Sequence, residues 1–153
     1  MGRMRTREPT ELLDLANAAR RRGEPSAAES RLEELFGTGC RLAVYGSLAP
    51  GRENHHVVAP LGGTWVTGVV EGDLTRRGWG AALGYLALRP RRGGPAVPAA
   101  LLTSDVLPRA WAELDAFEGA EYRRVLVPVW STAADDRALL AVANLYEAVE
   151  AAG

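Results

Sequence analysis

The spacing of apolar residues changes near Cys40, and this change divides the chain into two parts. Before Cys40, apolar residues recur three and four positions apart, which is the pattern of an amphipathic helix. After it, short apolar runs are interrupted by glycine and proline, which is typical of strands joined by turns. A chain of 153 residues is long enough for one domain with a core and too short for two full-sized domains. We therefore expect a helical extension, residues 1–39, joined to one α+β domain, residues 40–153.

The extension contains two predicted helices. Thr10 is expected to cap the first, which should end near Gly23. Pro25 and Ser26 open the second, and Gly37 closes it. Each helix is too short to be stable alone, so its apolar face must pack against the rest of the chain or against a second copy. If the helices pack against a second copy, the protein is a homodimer.

Six apolar runs in the second part predict strands. They lie at 42–45, 64–72, 84–88, 97–104, 122–130 and 139–149. Pro108 stands where a helix favours its first residue, and that helix is expected to reach Phe117. Asn54 is a good N-cap for a shorter helix that ends near Ala59. Irregularly spaced strands, several of them apolar on both faces, favour a mixed sheet that curls or closes instead of a doubly wound sheet.

The composition excludes several classes of site. All 18 basic residues are arginine, which excludes a lysine Schiff base and a lysine-dependent phosphate loop. One cysteine, Cys40, and two adjacent histidines, His55 and His56, do not supply the ligands of a typical metal site. A formal net charge of -1 gives no field to attract nucleic acid, so we expect a small-molecule partner. No apolar run is long enough for a signal peptide or a membrane span, and we expect a cytoplasmic protein that binds no membrane.

The first candidate site is the turn Tyr45-Gly46-Ser47-Leu48, which follows the first predicted strand. A strand that ends in a glycine turn exposes successive backbone N–H groups, and such a concavity binds a carboxylate or phosphate. The alternative is an ordinary connecting turn. Ser47 is not in the setting of a hydrolase nucleophile, because Tyr45 occupies the place of the glycine two residues before it.

The second candidate is Glu118, in the last turn of the helix that Gly119 ends. The negative end of the helix dipole disfavours an acidic side chain there. That dipole, together with Glu113, Asp115 and Glu121, is expected to raise the carboxyl pKa towards neutrality, where a general base works well. The alternative is that these acidic residues only solvate an exposed helix face.

Taken together, the two segments resemble the gamma-glutamylcyclotransferase-like family. The first is the Tyr-Gly-Ser-Leu turn, and the second is Leu-Asp-x-Phe-Glu-Gly-x-x-Tyr-x-Arg, residues 114–124. The resemblance covers about residues 40–148 and is closer to the gamma-glutamylamine branch than to the glutathione-specific branch. It implies a small mixed β-barrel of about five to six strands flanked by short helices. The helical extension has no counterpart in the family's minimal members.

The resemblance also implies a reaction: cyclisation of a gamma-glutamyl amine or peptide to 5-oxoproline, with no metal and no organic cofactor. Glu118 matches the family's acid/base, and the turn matches the segment that holds the glutamyl end of the substrate. Further positions match residues that line or support the cavity: Asn54, Tyr122, Arg124 and Tyr146. A non-catalytic module that keeps the fold and binds a small ligand or a protein is the alternative. Both segments lie after Cys40, so the extension is expected to be separable from the chemistry.

Overall fold

The computed structural model describes residues 7–46, 48–77, 85–133 and 137–149. It contains three α-helices, α1 (Arg7–Arg21), α2 (Ala27–Phe36) and α3 (Leu107–Glu118). Its strands are β1 (Arg41–Val44), β2 (Thr64–Arg77), β3 (Tyr85–Pro90), β4 (Ala96–Thr103), β5 (Tyr122–Trp130) and β6 (Leu139–Ala148). Single turns of 3₁₀ helix lie at Thr38–Cys40, His55–Val57 and Ala59–Leu61.

The helix ends follow the sequence signals in the second helix but not at the start of the first. Ser26 caps α2 by accepting hydrogen bonds from two backbone N–H groups, and Gly37 ends it in the left-handed conformation. Thr10 lies inside α1, which begins at Arg7, so the predicted cap at Thr10 is wrong. Asn54 precedes the turn His55–Val57 without a capping hydrogen bond from its side chain, so that predicted cap is wrong as well. Within the described residues, no helix is long and apolar enough to cross a membrane.

The strands form a barrel, as predicted. The order across the sheet is β3-β2-β4-β1-β6-β5, and a pairing of Val69 with Trp130 joins β2 to β5. Five strands therefore close on themselves, while β3 pairs with the far half of β2 outside the ring. Only β1 and β6 run parallel, which makes the sheet mixed. The long β2 takes part in both the barrel and the β2–β3 hairpin, and this explains why it continues to Arg77, beyond the predicted end at residue 72.

The barrel interior is an apolar core of small and β-branched side chains. Alternation along β5 sends Val125, Val127 and Val129 inward, because successive side chains of a strand point to opposite faces. They meet residues of the other strands, among them Val70, Leu88, Val97, Ala99, Leu101, Ala141, Ala143 and Leu145. A filled interior of this kind leaves the candidate chemistry to the rim and the outer faces.

The helical extension packs on the outer face of its own barrel. Leu13 and Ala16 of α1, with Leu32 of α2, form a cluster with Leu126 of β5 and Val142 of β6. The side chain of Asn17 adds two hydrogen bonds: its amide donates to the Leu126 carbonyl oxygen and its carbonyl accepts from the Leu126 N–H, each at 2.8 Å. Asn17 thereby pairs with β5 as the backbone of a neighbouring strand would. Of the two surfaces expected for these helices, the barrel is the one they cover.

Candidate active site

Glu118 is the last residue of α3, and its carboxyl is mostly buried. The residues Leu107, Ala110 and Leu114 form the buried face of this helix, and Glu118 follows Leu114 at a spacing of four. The helix therefore places the carboxyl on the side that faces the barrel. Gly119 ends the helix with φ 75, a conformation that favours glycine, and its N–H donates to the Asp115 carbonyl oxygen at 3.0 Å.

Burial raises the pKa of Glu118 to about 7, because removing a carboxylate from water disfavours the charged form. The direction agrees with the expectation from sequence, but the cause does not. The helix dipole and the charges of Glu113, Asp115 and Glu121 were the expected causes, whereas desolvation accounts for the raised pKa in the structure. A pKa near 7 leaves both protonation states of this carboxyl populated at neutral pH.

Tyr45 lies directly after β1 and bridges two other strands. Its hydroxyl donates to the Tyr146 carbonyl oxygen at 2.7 Å and accepts from the Leu88 N–H at 3.1 Å. Burial raises the pKa of Tyr45, and the nearby charge of Glu118 adds to this shift. The phenol is therefore a neutral hydrogen-bonding group at neutral pH, fixed by two backbone partners.

The turn after Tyr45 has open space beside Gly46. A side chain added at Gly46 would meet nothing within 4 Å. None of the hydrogen bonds in the described part of the chain uses the N–H of Gly46 or of Leu48. Ser47, predicted as the centre of the turn, lies outside the described residues. The described parts of the turn are suited to an anion cradle, since the N–H groups of Gly46 and Leu48 make no hydrogen bond there and the space beside Gly46 is open.

His55 holds the far end of this turn. Its ring Nδ1 donates to the Leu48 carbonyl oxygen at 2.9 Å, and the ring packs against Trp65 with 5.3 Å between ring centroids. His55 was not predictable as a site residue from sequence, because no local pattern connects a histidine to a carbonyl seven residues earlier. Asn54, which precedes it, is partly buried.

Tyr146 and Asp115 form a hydrogen-bonded pair beside Glu118. The Tyr146 hydroxyl donates to Asp115 Oδ1 at 2.6 Å, and the Arg124 guanidinium donates to both oxygens of Asp115, at 2.9 and 3.3 Å. Although burial opposes it, these hydrogen bonds lower the pKa of Asp115 and keep it ionised. Burial and the bond to Asp115 raise the pKa of Tyr146, and the charge of Glu118 contributes further. The sequence did not distinguish Asp115 from its acidic neighbours.

The structure thus joins two of the predicted residues, Tyr45 and Tyr146, by a hydrogen bond, and Glu118 is near enough for its charge to raise the pKa of both. Tyr122 packs against the cluster that contains Tyr146, and its hydroxyl donates to the Leu86 carbonyl oxygen at 3.0 Å. Two carboxyl groups one turn apart on α3 have opposite properties: Asp115 stays ionised, and Glu118 exchanges its proton near pH 7. Only Glu118 is suited to proton transfer at neutral pH.

Neither a metal site nor a reactive thiol accompanies this arrangement in the described residues. No group of three or more His, Cys, Asp or Glu side chains there could hold a metal ion. Cys40 is partly exposed, and burial, together with the charges of Asp105 and Glu33, raises its pKa. A raised pKa lowers the thiolate fraction, so Cys40 is a poor nucleophile.

Comparison with known proteins points to one family. The family model described as "Gamma-glutamyl cyclotransferase, AIG2-like" matches residues 42–152. No curated protein matches the chain. An AIG2-like protein from Mus musculus superposes with a TM-score of 0.50 at 21% identity, over 72% of this chain and 77% of that chain. An uncharacterized protein from Pyrococcus horikoshii gives a TM-score of 0.50 at 20% identity, over 72% and 79%.

A third similar structure is the allophanate hydrolase of Kluyveromyces lactis. It superposes with a TM-score of 0.55 at 13% identity, over 73% of this chain and only 18% of that one. The chain thus spans less than a fifth of that enzyme. At sequence identities this low, the similarity to these three structures shows a shared fold and nothing about activity. The family model covers most of the chain, and the barrel it implies is the barrel observed. The chain belongs to the AIG2-like gamma-glutamyl cyclotransferase family.

Proposed function

We propose that this protein cyclises the gamma-glutamyl group of a gamma-glutamyl amine or peptide, with 5-oxoproline and the free amine as products. The α-amine of the glutamyl group attacks the side-chain carbonyl carbon of the same group and closes a five-membered ring. The bond from that carbon to the leaving nitrogen then breaks. Family membership supports the reaction class, and the similarity of the turn to the gamma-glutamylamine branch supports an amine as the leaving group.

Glu118 carries the proton between the two nitrogens. As a carboxylate it takes one proton from the α-ammonium, which frees the attacking lone pair. As a carboxylic acid it returns that proton to the leaving nitrogen, and the ring nitrogen gives up its remaining extra proton to water as the lactam forms, so Glu118 ends each turnover in its starting state. A group that must both accept and donate works best with a pKa near the working pH, and transfer of this kind contributes about 10²–10⁴-fold. The buried carboxyl of Glu118, with its pKa raised to about 7, is the observation that carries this proposal.

The turn and the tyrosines hold the substrate in the folded shape that the ring closure needs. Free N–H groups at Gly46 and Leu48 are suited to the glutamyl carboxylate or to the oxyanion that forms on the carbonyl. Tyr45 and Tyr146, which are joined by a hydrogen bond, are proposed to line the site near Glu118, and Tyr122 and Asn54 are proposed as further substrate contacts. Both reacting atoms belong to one molecule, so correct positioning alone lowers the barrier by several kcal/mol.

The reaction as proposed uses only groups of the protein and the substrate, and it requires no metal or organic cofactor. We also propose that it takes place in the cytoplasm. Activity that is unchanged after dialysis against a chelator supports the first point, and microscopy of a tagged copy in its host tests the second. Loss of activity that a divalent metal restores would contradict a metal-free reaction.

The test of the proposed function is incubation with a panel of gamma-glutamyl amines, gamma-glutamyl dipeptides and glutathione, followed by detection of 5-oxoproline. Glu118→Gln keeps the size of the side chain but cannot accept a proton, and its activity should fall by about 10²-fold or more. Glu113→Gln changes an exposed carboxyl of the same helix and is the matched control. Substrate binding without 5-oxoproline from any member of the panel would favour a non-catalytic binding module instead.

A further inference from the structure

Arg20, in the last turn of α1, reaches from the helical extension to the barrel. Its side chain is only 15% exposed, and its Nε donates to a Glu29 carboxylate oxygen at 2.6 Å. Its Nη1 donates to Asn144 Oδ1 at 2.8 Å and to the Arg124 carbonyl oxygen at 3.3 Å. One planar guanidinium thereby connects α2, β5 and β6. A lysine ammonium is a single point donor and cannot span partners so arranged.

Asn144 is the buried meeting point of two arginines. It is 1% exposed, and its amide nitrogen donates to the Thr38 carbonyl oxygen at 2.8 Å, which fixes the direction of the side chain. Its Oδ1 accepts from Arg20 and also from Nη1 of Arg124, the latter at 3.0 Å. Two positive groups on one amide oxygen repel each other unless each has its own counter-charge. Glu29 supplies the counter-charge for Arg20, and Asp115 supplies it for Arg124.

The chain of contacts ends at the candidate active site. Arg124 stacks on Trp111, with its guanidinium carbon 4.4 Å from the ring centroid, and binds Asp115 through both oxygens. Asp115 in turn accepts the hydrogen bond from the Tyr146 hydroxyl. Tyr146 accepts, at its carbonyl oxygen, the hydroxyl of Tyr45, and Asp115 lies one turn before Glu118 on α3. Hydrogen bonds therefore connect five side chains from α1 to the helix turn that carries the proposed acid/base: Arg20, Asn144, Arg124, Asp115 and Tyr146.

We propose that Arg20 is a positioning residue: through Asn144 and Arg124 it orients Asp115 and Tyr146 against Glu118. The inference rests on the proposed function and makes the helical extension a working part of the enzyme. This differs from the expectation that chemistry and extension are separable, which rested on motif positions alone. With Arg20 absent, Asn144 Oδ1 loses one of its two donors and the Glu29 carboxylate loses its arginine partner, so we expect Arg124 to be held less firmly against Asp115.

The chain offers a matched control for a purely structural role. Asn17 also ties α1 to β5, but its side chain does so through the Leu126 backbone, and among the described residues it makes no hydrogen bond to any of the five connected side chains. Asn17→Ala and Arg20→Ala should both loosen α1, and only the second should disturb the site. Arg20→Lys is the milder variant: it keeps the positive charge but lacks the several donors of the planar guanidinium. It replaces Arg20→Ala in the test if Arg20→Ala does not fold.

The first readout is kinetic. We expect Arg20→Ala to lower kcat by about tenfold or more, because small displacements of positioned groups have large effects on rate, with Asn17→Ala close to wild type at equal folded fraction. Arg20 borders an open cavity of about 850 Å³, so a small cation can reach the vacated space. Millimolar ethylguanidinium should restore part of the activity of Arg20→Ala, and ethylammonium should restore less. Neither should affect Asn17→Ala.

The second readout needs no substrate. NMR titration of the Glu118 carboxyl should show a lower pKa in Arg20→Ala and in Arg20→Lys than in wild type, because a loosened Tyr146 admits water; Asn17→Ala should leave this pKa unchanged. If the Arg20 variants lose stability but keep the wild-type kcat and the wild-type pKa of Glu118, Arg20 only holds α1 on the barrel and does not position the site. If wild type forms no 5-oxoproline, the proposed function fails, while the titration still decides whether Arg20 acts on Glu118.

Discussion

Tyr45 and Tyr146 are joined by a hydrogen bond of 2.7 Å from the phenol of the first to the carbonyl oxygen of the second. The same phenol accepts the N–H of Leu88, so it satisfies two buried backbone groups on different strands. This one side chain connects the start of the candidate turn to β3 and β6. Its position couples the shape of the site to the stability of the barrel.

We predict that Tyr45→Phe destabilises the protein by about 1–3 kcal/mol, because it leaves a buried N–H and a buried carbonyl without partners. The measurement is urea unfolding monitored by circular dichroism. Thr75→Val is the control, since the Thr75 hydroxyl is exposed and makes one long bond of 3.4 Å to Ala87. Equal stability losses in the two variants would show that water replaces the Tyr45 hydroxyl without cost.

The pH dependence of activity should follow the ionisation of Glu118. Its base form is required, and burial raises the pKa to about 7, so kcat/KM should fall about tenfold per pH unit below that value. The charge of Glu118 also acts on Tyr45 and Tyr146, but burial raises the pKa of both phenols, so neither titrates in the same range. A rate that stays constant down to pH 5 would show that Glu118 is not the base.

Glu118 should also lower stability at neutral pH. Its pKa is raised from 4.5 to about 7 on folding, so between these values the unfolded chain has lost the proton while the folded chain keeps it. The stability due to this group is therefore complete below pH 4.5 and is lost as the pH rises to about 7. At 1.36 kcal/mol per pKa unit, the loss reaches about 3 kcal/mol.

Glu118→Gln, which does not titrate, should consequently gain stability relative to wild type as the pH rises, with the full difference above pH 7. Urea unfolding of both proteins at pH 5 and pH 8 measures this difference. A constant difference at the two pH values would mean that Glu118 is better solvated than its burial implies. Loss of activity together with gain of stability would mark a group held for function at a cost to the fold.

Two glycines with different surroundings test the anion cradle. A side chain at Gly46 would meet nothing within 4 Å, so Gly46→Val should fold and should raise KM by blocking approach to the turn. At Gly68 an added Cβ would lie 2.9 Å from Val129 Cγ1 and 3.0 Å from the Trp130 carbonyl oxygen, so Gly68→Val should fail to fold well. The soluble yield of each variant measures folding, and the KM of the folded Gly46→Val protein measures substrate binding. Normal KM in a folded Gly46→Val protein would remove the turn from substrate binding.

Local structure was predictable from the sequence because its causes are local. Strand β5 has the bounds that its apolar run predicted, and α3 begins and ends within one residue of its prediction. Ser26 and Gly37 act as the helix boundaries that their chemistry favours. The start of α1 was not predictable in this way, because Thr10 fits the interior of a helix as well as its cap.

The candidate site was predictable only in part. The motif residues Tyr45 and Glu118 were identified, and the position of Glu118 four residues after the buried Leu114 was a readable signal that it faces inward. Its spacing from other acidic residues gave the right direction for the pKa but the wrong cause, since burial depends on what packs above the helix. No local sequence pattern distinguishes Asp115 or His55. Asp115 is bound by Tyr146, 31 residues away, and His55 binds the Leu48 carbonyl oxygen.

The amino-acid order by itself determined the helices, most of the strand bounds, the glycine turn and the acidic residue at the helix end, because these depend on neighbours within a few positions. Only the tertiary structure decided where the barrel closes, at Val69 and Trp130, and which surface the extension covers. It alone also brought Arg20 to Asn144, 124 residues later in the chain. Contacts at such separations result from the packing of whole strands and helices, and no periodicity in the sequence encodes them one by one.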